Sequence, residues 1–264
     1  MNTTLSYMKT DATAPALERG LEILELLSKD PYEMGFQEIS QRLRIPPASL
    51  WRLLKVLTNK GYLIMDPRRR TYRLGFKLAS MGNFLLENSH FKSSVREDLK
   101  HLVELTGETV ELDIKLKDQL VLLEQIIGPE GLYLYSHPGS AMPYFHATAP
   151  GKVYLANLPY EKLRAVVSRL GLPKLTTYTI HSFDELLAEL ELVRERGYAF
   201  DIDEMREGVG RVASGIYDRE GKVIAVIAVV CPSIRLRDPE RLKTYGERVK
   251  EVAKTIGDRH GRIF

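Results

Sequence analysis

Between residues 41 and 80 the chain carries ten basic side chains, Arg42, Arg44, Arg52, Lys55, Lys60, Arg68, Arg69, Arg70, Arg73 and Lys77, against one acid, Asp66. The whole protein of 264 residues nets +3, which leaves −6 for everything outside that window. A charge excess confined to one stretch marks a surface built to meet a polyanion. The rest of the chain has a different task.

The length suits a small domain followed by a medium one, at roughly 100 to 200 residues per domain. With 44% apolar and 28% charged residues the composition is that of a soluble globular protein. No run approaches the roughly 20 apolar residues of a membrane helix. The opening MNTTLSYMKTDATAP lacks a basic segment followed by an apolar one, so no secretory signal is expected. A single cysteine, Cys231, leaves no disulfide framework and no cysteine-rich zinc site. A cytoplasmic protein is the expectation.

From Ala16, ALERGLEILELLS sets Leu17, Leu21, Ile23, Leu24 and Leu27 at helical spacing opposite Glu18, Glu22 and Glu25. Pro31 ends that helix, and FQEISQRL (36–43) predicts a shorter one on Phe36, Ile39 and Leu43. Arg44-Ile45-Pro46-Pro47 reads as a tight turn, its second proline suited to the first turn of a third helix that ends near Gly61. There Leu50, Leu53, Leu54 and Leu57 make a buried stripe, leaving Ser49, Trp51, Arg52 and Lys55 near the exposed face, where a recognition helix presents side chains to the major groove. Tyr62 to Met65 and Thr71 to Leu74 alternate around Asp66-Pro67-Arg68-Arg69-Arg70, a hairpin with a basic tip.

Each piece has an ordinary alternative, since three helices with a hairpin make a common fold and three arginines often sit on a solvated loop. Their conjunction within about 60 residues points to phosphates lying against them, a winged helix-turn-helix on double-stranded DNA. The expected division of labour is base-edge reading by Ser49, Trp51, Arg52 and Lys55, a grip on phosphate or minor groove by Arg68, Arg69 and Arg70, and register fixed by Arg42, Arg44 and Lys60. Trp51, the only tryptophan, could instead be core, where large aromatics usually go. Helical phase favours an outward ring.

These segments resemble the isocitrate lyase regulator (IclR) family of bacterial transcription factors, from about Ala16 to about Ile256. The first half carries the likeness in ALERGLEILELL, EISQRLRIPPASLWRLLKVLTNKGYL and YRLGFKLASMG. The second carries it in TGETVELDI, GSAMPYFHATAPGKVYLA, ELLAELELVRERGYAFDIDEM, EGVGRVASGIYD and GKVIAVIAV. The resemblance implies an α+β protein: a winged helix-turn-helix that dimerises, a connecting helix, and a GAF-like α/β effector-binding domain with an antiparallel sheet. The expected limits are a disordered tail over 1–14, the DNA-binding domain over 15–75, a linker helix over 76–90 and the regulatory domain over 91–264. The chain departs from the family pattern at Ala48-Ser49, at Trp51, and at Gly210-Arg211 after Gly208-Val209.

Read without the resemblance, 73–88 predicts a helix carrying Leu74, Leu78, Met81 and Leu85, and 93–106 another ending at Gly107. Strands are expected at 109–115, 120–127 and 132–136, helices at 150–158, 160–170 and 183–196, strands at 211–217 and 223–230, and a long helix after Asp238-Pro239. That order describes one α/β domain with an antiparallel sheet.

In HATAPGK (146–152) Thr148 can cap the helix that follows, whose free amides suit an anion, although Pro150 removes one donor. Plain capping explains the motif as well. The resemblance puts the family's ligand loop here, with Ala149 and Gly151, and turns Asp201 and Arg211 towards an effector pocket. A buried arginine needs an anionic partner, either Asp201, Glu204 or a ligand carboxylate. Arg211 is expected to bind an acidic small molecule, with Met142, Phe145, Ala228 and Val230 as apolar walls. A surface arginine at a strand start is the alternative.

The six histidines show no metal-binding spacing, and none neighbours a Ser or Cys nucleophile in a recognisable elbow. No catalytic residue, metal or cofactor is expected. Cys231 reads as a small buried hydrophobe. The expected function is a regulator of a catabolic operon, a homodimer or a dimer of dimers, that binds an operator under control of a small-molecule, carboxylate-type effector and meets no membrane. A low-specificity nucleic-acid binder with a structural second half, or an enzyme using the α/β domain, are the alternatives.

Overall fold

The computed structural model describes residues 14–29, 31–87, 89–116, 119–132 and 137–261. The tail expected over 1–14 lies outside the described residues except for Ala14, as do the Lys117-Asp118 turn and most of the strand expected at 132–136. The chain divides into two compact units, one reaching to Glu87 and the other following it.

In the first unit, α1 (Pro15–Leu27), α2 (Phe36–Leu43) and α3 (Pro47–Asn59) surround one small core. A two-residue strand β1 (Met34–Gly35) precedes α2, and the hairpin β2 (Leu63–Asp66) and β3 (Thr71–Leu74) follows α3. Strand β3 pairs with both others, giving the order β1-β3-β2. Ile23, Leu27, Met34, Ile39, Ile45, Leu50, Leu54 and Leu63 fill the centre. Each such side chain contributes about 1.5–3 kcal/mol on burial. The hairpin starts from a tight place: a Cβ on Gly75 would lie 2.1 Å from the Gly61 carbonyl oxygen. Only glycine lets the end of β3 pass there.

Two sequence expectations change here. Leu17 and Leu21 are exposed, because the buried stripe of α1 runs through Gly20, Ile23 and Leu27 and they lie beside it. The helix expected from Arg73 begins three residues later, as α4 (Phe76–Glu87), because Arg73 and Leu74 pair with Ile64 and Leu63.

The second unit opens with α5 (His90–Thr106), which Ser89 caps by accepting the Lys92 amide at 3.3 Å. Strands β4 (Thr109–Leu116) and β5 (Gln119–Ile126) form a hairpin, and a 3-10 turn at Phe145–Ala147 leads to α6 (Ala149–Ala156), α7 (Tyr160–Leu170) and α8 (Phe183–Arg196). Then come β6 (Ala199–Ile202), β7 (Val209–Tyr217), β8 (Val223–Pro232), the short α9 (Ser233–Leu236) and the closing α10 (Pro239–His260), capped by Asp238. The sheet is antiparallel throughout, in the order β5-β4-β8-β7-β6. Helix α6 packs against β6, β7 and β8, and α10 against β7 and β8. The central strands are therefore enclosed on both sides. That explains the near-continuous apolar run of β8, all of it buried from Ala225 to Cys231.

Candidate functional site

Helix α3 has two unlike faces. Leu50 and Leu54 are buried, Leu53 and Leu57 half-buried, whereas Trp51, Arg52 and Lys55 are exposed with Ser49 half-buried beside them. Trp51 is 56% exposed, so the ring stands outside the core. The Lys55 ammonium lies 4.8 Å from the centre of that ring, one helical turn on, and Arg52 Nε donates to the Ala48 carbonyl at 3.3 Å. These contacts pre-order two cations and an aromatic face along a single stripe.

At the hairpin tip Asp66 Oδ1 accepts the amides of Arg68 at 2.8 Å and Arg69 at 3.2 Å, and Arg70 takes a left-handed φ of 55°. The Arg69 and Arg68 amides hold the Asp66 carboxyl below its ordinary range. An Asx turn thus shapes the tip and leaves Arg68, Arg69 and Arg70 exposed. Arg69 reaches Glu33 at 3.4 Å and Arg42 reaches Glu38 at 2.7 Å, surface pairs of small energetic weight. Arg44 closes α2 with a left-handed φ of 53° and Lys60 closes α3, both exposed.

In the second unit the register of the sheet assembles a charged row. Asp201 stands opposite Arg211 and Arg211 opposite Val230, while Glu111 faces Ala228 and Asp113 faces Val226. Residues paired in register, or two apart on one strand, share a face, so these acids and Arg211 lie on the same side of the sheet. Arg211 Nη1 meets Asp201 Oδ1 at 3.5 Å, and Asp201 Oδ2 accepts the Ala149 amide at 2.8 Å. Burial pushes the Asp201 carboxyl up despite these partners. Above the row, Glu111, Asp113 and Arg211 line a cavity of about 50 Å³, with Leu122, Met142 and Met205 among its walls.

The predicted effector residues do not all converge. Met142 and Arg211 line the cavity, and Asp201 anchors Arg211. Ala228 and Val230 are wholly buried in the core on the same face. Phe145 packs edge-on against Tyr154, 5.1 Å between ring centres, and borders a separate crevice with His146 and Leu170. The free anion nest expected at the start of α6 is occupied from within: Asp201 takes the Ala149 amide, and Thr148 Oγ1 accepts from Gly151 at 3.3 Å. Gly151 has a packing role, since a Cβ there would lie 2.3 Å from the Phe145 backbone.

Sequence reasoning passed over Glu111, Asp113, Met205 and Lys152. Strand alternation puts Glu111 and Asp113 of TVELDIKL on one face of β4, and that face is covered. Lys152 is 1% exposed, its Nζ donating to Glu204 Oε1 at 2.5 Å and to the Phe200 carbonyl at 3.0 Å. Glu204 was a possible partner for Arg211, but Lys152 holds it instead. Burial raises its carboxyl to about 7 against the pull of Lys152.

Two family models match the chain: the IclR helix-turn-helix domain over residues 16–67, and the bacterial transcriptional regulator IclR C-terminal over residues 83–258. The chain belongs to the IclR family of transcriptional regulators. It is 33% identical over 243 residues to the HTH-type transcriptional repressor AllR of Escherichia coli strain K12, covering 92% of this chain and 89% of that one. It is 32% identical to the HTH-type transcriptional regulator KdgR of Dickeya chrysanthemi, over 90% of this chain and 77% of the relative. The Thermotoga maritima IclR crystal structure superposes with a TM-score of 0.65 at 27% identity, over 93% of this chain and 98% of that one. In this IclR-family chain the helix-turn-helix half and the α/β half are separate compact units, with the exposed α3 stripe in one and the Arg211 cavity in the other.

Proposed function

We propose that this IclR-family protein reads operator DNA as a homodimer through the exposed face of α3, and that a small molecule seated against Arg211 controls that binding. The observation that carries the first half is the ordered stripe of Trp51, Arg52 and Lys55 on an otherwise leucine-packed helix. Inserted into a major groove, Arg52 and Lys55 would present donors to base edges and Trp51 an apolar face to a thymine methyl, with Ser49 at the groove wall. Arg68, Arg69 and Arg70 on the hairpin tip would meet phosphate or minor groove, and Arg42, Arg44 and Lys60 would fix register on the backbone.

Dimerisation is supported by apolar surface left exposed among the described residues. Leu17 and Leu21 on α1 and Phe76, Met81 and Leu85 on α4 are at least half exposed. Two such readers would engage half-sites one helical turn apart. Repression fits the relationship to AllR, whose name is that of a repressor. No described helix is long and apolar enough to cross a membrane, which fits work on DNA in the cytoplasm. Gel-shift titration of the full chain with genomic fragments tests the proposal: saturable binding to a pseudo-palindrome that falls at least about tenfold in Arg52→Ala supports it. Equal affinity for unrelated DNA removes it.

A further inference from the structure

The cavity above Arg211 holds more acid than an effector that is only a carboxylate would accept. Glu111 is 3% exposed and Asp113 1% exposed, and they sit two residues apart on one strand, about 6.7 Å along it. Arg211, on the other side of β8 from them, is already matched by the Asp201 carboxylate. One acid oxygen, Asp113 Oδ2, and one guanidinium nitrogen, Arg211 Nε, are buried with no hydrogen-bond partner among the described residues. A buried acceptor and a buried donor left unmade each cost free energy, and both border the same space. Burial, with the Glu111 carboxylate beside it, also drives the Asp113 carboxyl well above its ordinary range.

We infer that the effector is a small polyhydroxylated compound whose hydroxyls donate to Glu111 and Asp113 while a carbonyl or carboxylate oxygen accepts from Arg211. This rests on the proposal that the Arg211 cavity is the effector site, and it says what that site selects. Glu111 Oε1 already accepts from Gln125 Nε2 at 2.8 Å, so an unsubstituted carboxylate would satisfy Arg211 and leave Asp113 Oδ2 facing methylenes without a donor. An alditol would satisfy the acids but offer Arg211 Nε only a neutral hydroxyl oxygen, a weaker acceptor for a guanidinium than a carboxylate. A molecule with donors spread along several carbons and a strong oxygen acceptor at one end meets all three groups best. The volume of about 50 Å³ corresponds to roughly four waters, which favours a compact ligand of about four carbons. Leu122, Met142 and Met205 supply the apolar contacts for its C–H edges.

A matched four-carbon series tests this with the full chain by isothermal titration: threonate and erythronate, threonolactone, erythritol and butyrate. The expected result is that the best of the hydroxylated acids or the lactone binds at least about tenfold tighter than both butyrate and erythritol. In Glu111→Gln/Asp113→Asn, close in shape to the native pair, the margin over butyrate should fall below about threefold. Threonate against threonolactone separates carboxylate from neutral carbonyl as the acceptor. Butyrate binding as tightly as the hydroxylated compounds, a margin that survives in the double variant, or no binding by any hydroxylated member overturns the inference. The underlying assignment of the site fails in a different way: a ligand that releases DNA equally from the native chain and from Arg211→Met does not sit in this cavity, whatever groups it carries.

Discussion

Arg211 and Asp201 face each other on neighbouring strands inside the regulatory unit, Nη1 to Oδ1 at 3.5 Å, and the second Asp201 oxygen is held by the amide that opens α6. One carboxylate therefore ties the floor of the cavity to the helix packed on it. Truncating one member of a buried pair leaves the other charge without compensation, at about 3–5 kcal/mol. Arg211→Met is expected to lower the regulatory unit's stability by an amount of that order, and Asp201→Asn added to it should restore part of the loss. Calorimetric unfolding of the single and double variants measures this, and strictly additive losses would show that the two residues are not coupled.

Three buried carboxyls favour this unit in acid, opposed by His146, whose ring burial holds below its ordinary range. Glu204 titrates near 7 in the folded protein against an ordinary 4.5, and Asp113 and Asp201 are displaced in the same direction by burial. The folded state then binds more protons than the unfolded chain between those values, so the stabilisation is fully present below about 4.5 and is lost as pH rises through 7. The unfolding temperature should decline from pH 5 to pH 8. In Glu204→Gln, which keeps an acceptor for Lys152, the decline near pH 7 should flatten, and an unchanged profile would assign the effect to other groups.

Gly151 allows α6 to lie against the Phe145 turn. An alanine Cβ would meet backbone atoms there at 2.3 Å, contacts that no side-chain rotation relieves. Gly151→Ala is expected to cost about 3 kcal/mol or more in the regulatory unit. Thermal unfolding of the full chain, followed by calorimetry, reads the loss, and native-like stability would mean that the turn yields easily.

The three arginines of the hairpin tip should act through charge alone. Replacing Arg68, Arg69 and Arg70 by alanine is expected to weaken binding to all DNA sequences alike and to reduce the slope of log affinity against log salt by about one for each phosphate no longer neutralised. A Trp51→Ala variant should instead keep the salt slope and lose discrimination among sequences. The reverse pattern would exchange the roles assigned to the tip and to α3.

Much of the DNA-binding half is legible in the sequence because its helices are half-exposed and their apolar periodicity survives intact. The leucine stripe of α3 fixes the outward phase of Trp51, and the structure keeps it. The boundary at Arg73 is not legible, since Leu74, Leu78, Met81 and Leu85 keep helical spacing while strand pairing claims Arg73 and Leu74. In the regulatory half, periodicity misleads for a physical reason. A sheet covered on both faces buries its polar alternation too, so Glu111 and Asp113 read as solvent-facing when they line the cavity. Lys152 is hidden likewise, because a lysine inside a helix reads as surface until a buried partner such as Glu204 is seen against it.

The most direct test of the account is selection of bound DNA from random-sequence duplexes by the full chain at physiological salt, repeated with Arg52→Ala. The account predicts enrichment of a pseudo-palindrome with half-sites one helical turn apart, and loss of that enrichment at the positions read by α3 in the variant. Recovery of no consensus, or of the same consensus from Arg52→Ala, would contradict it.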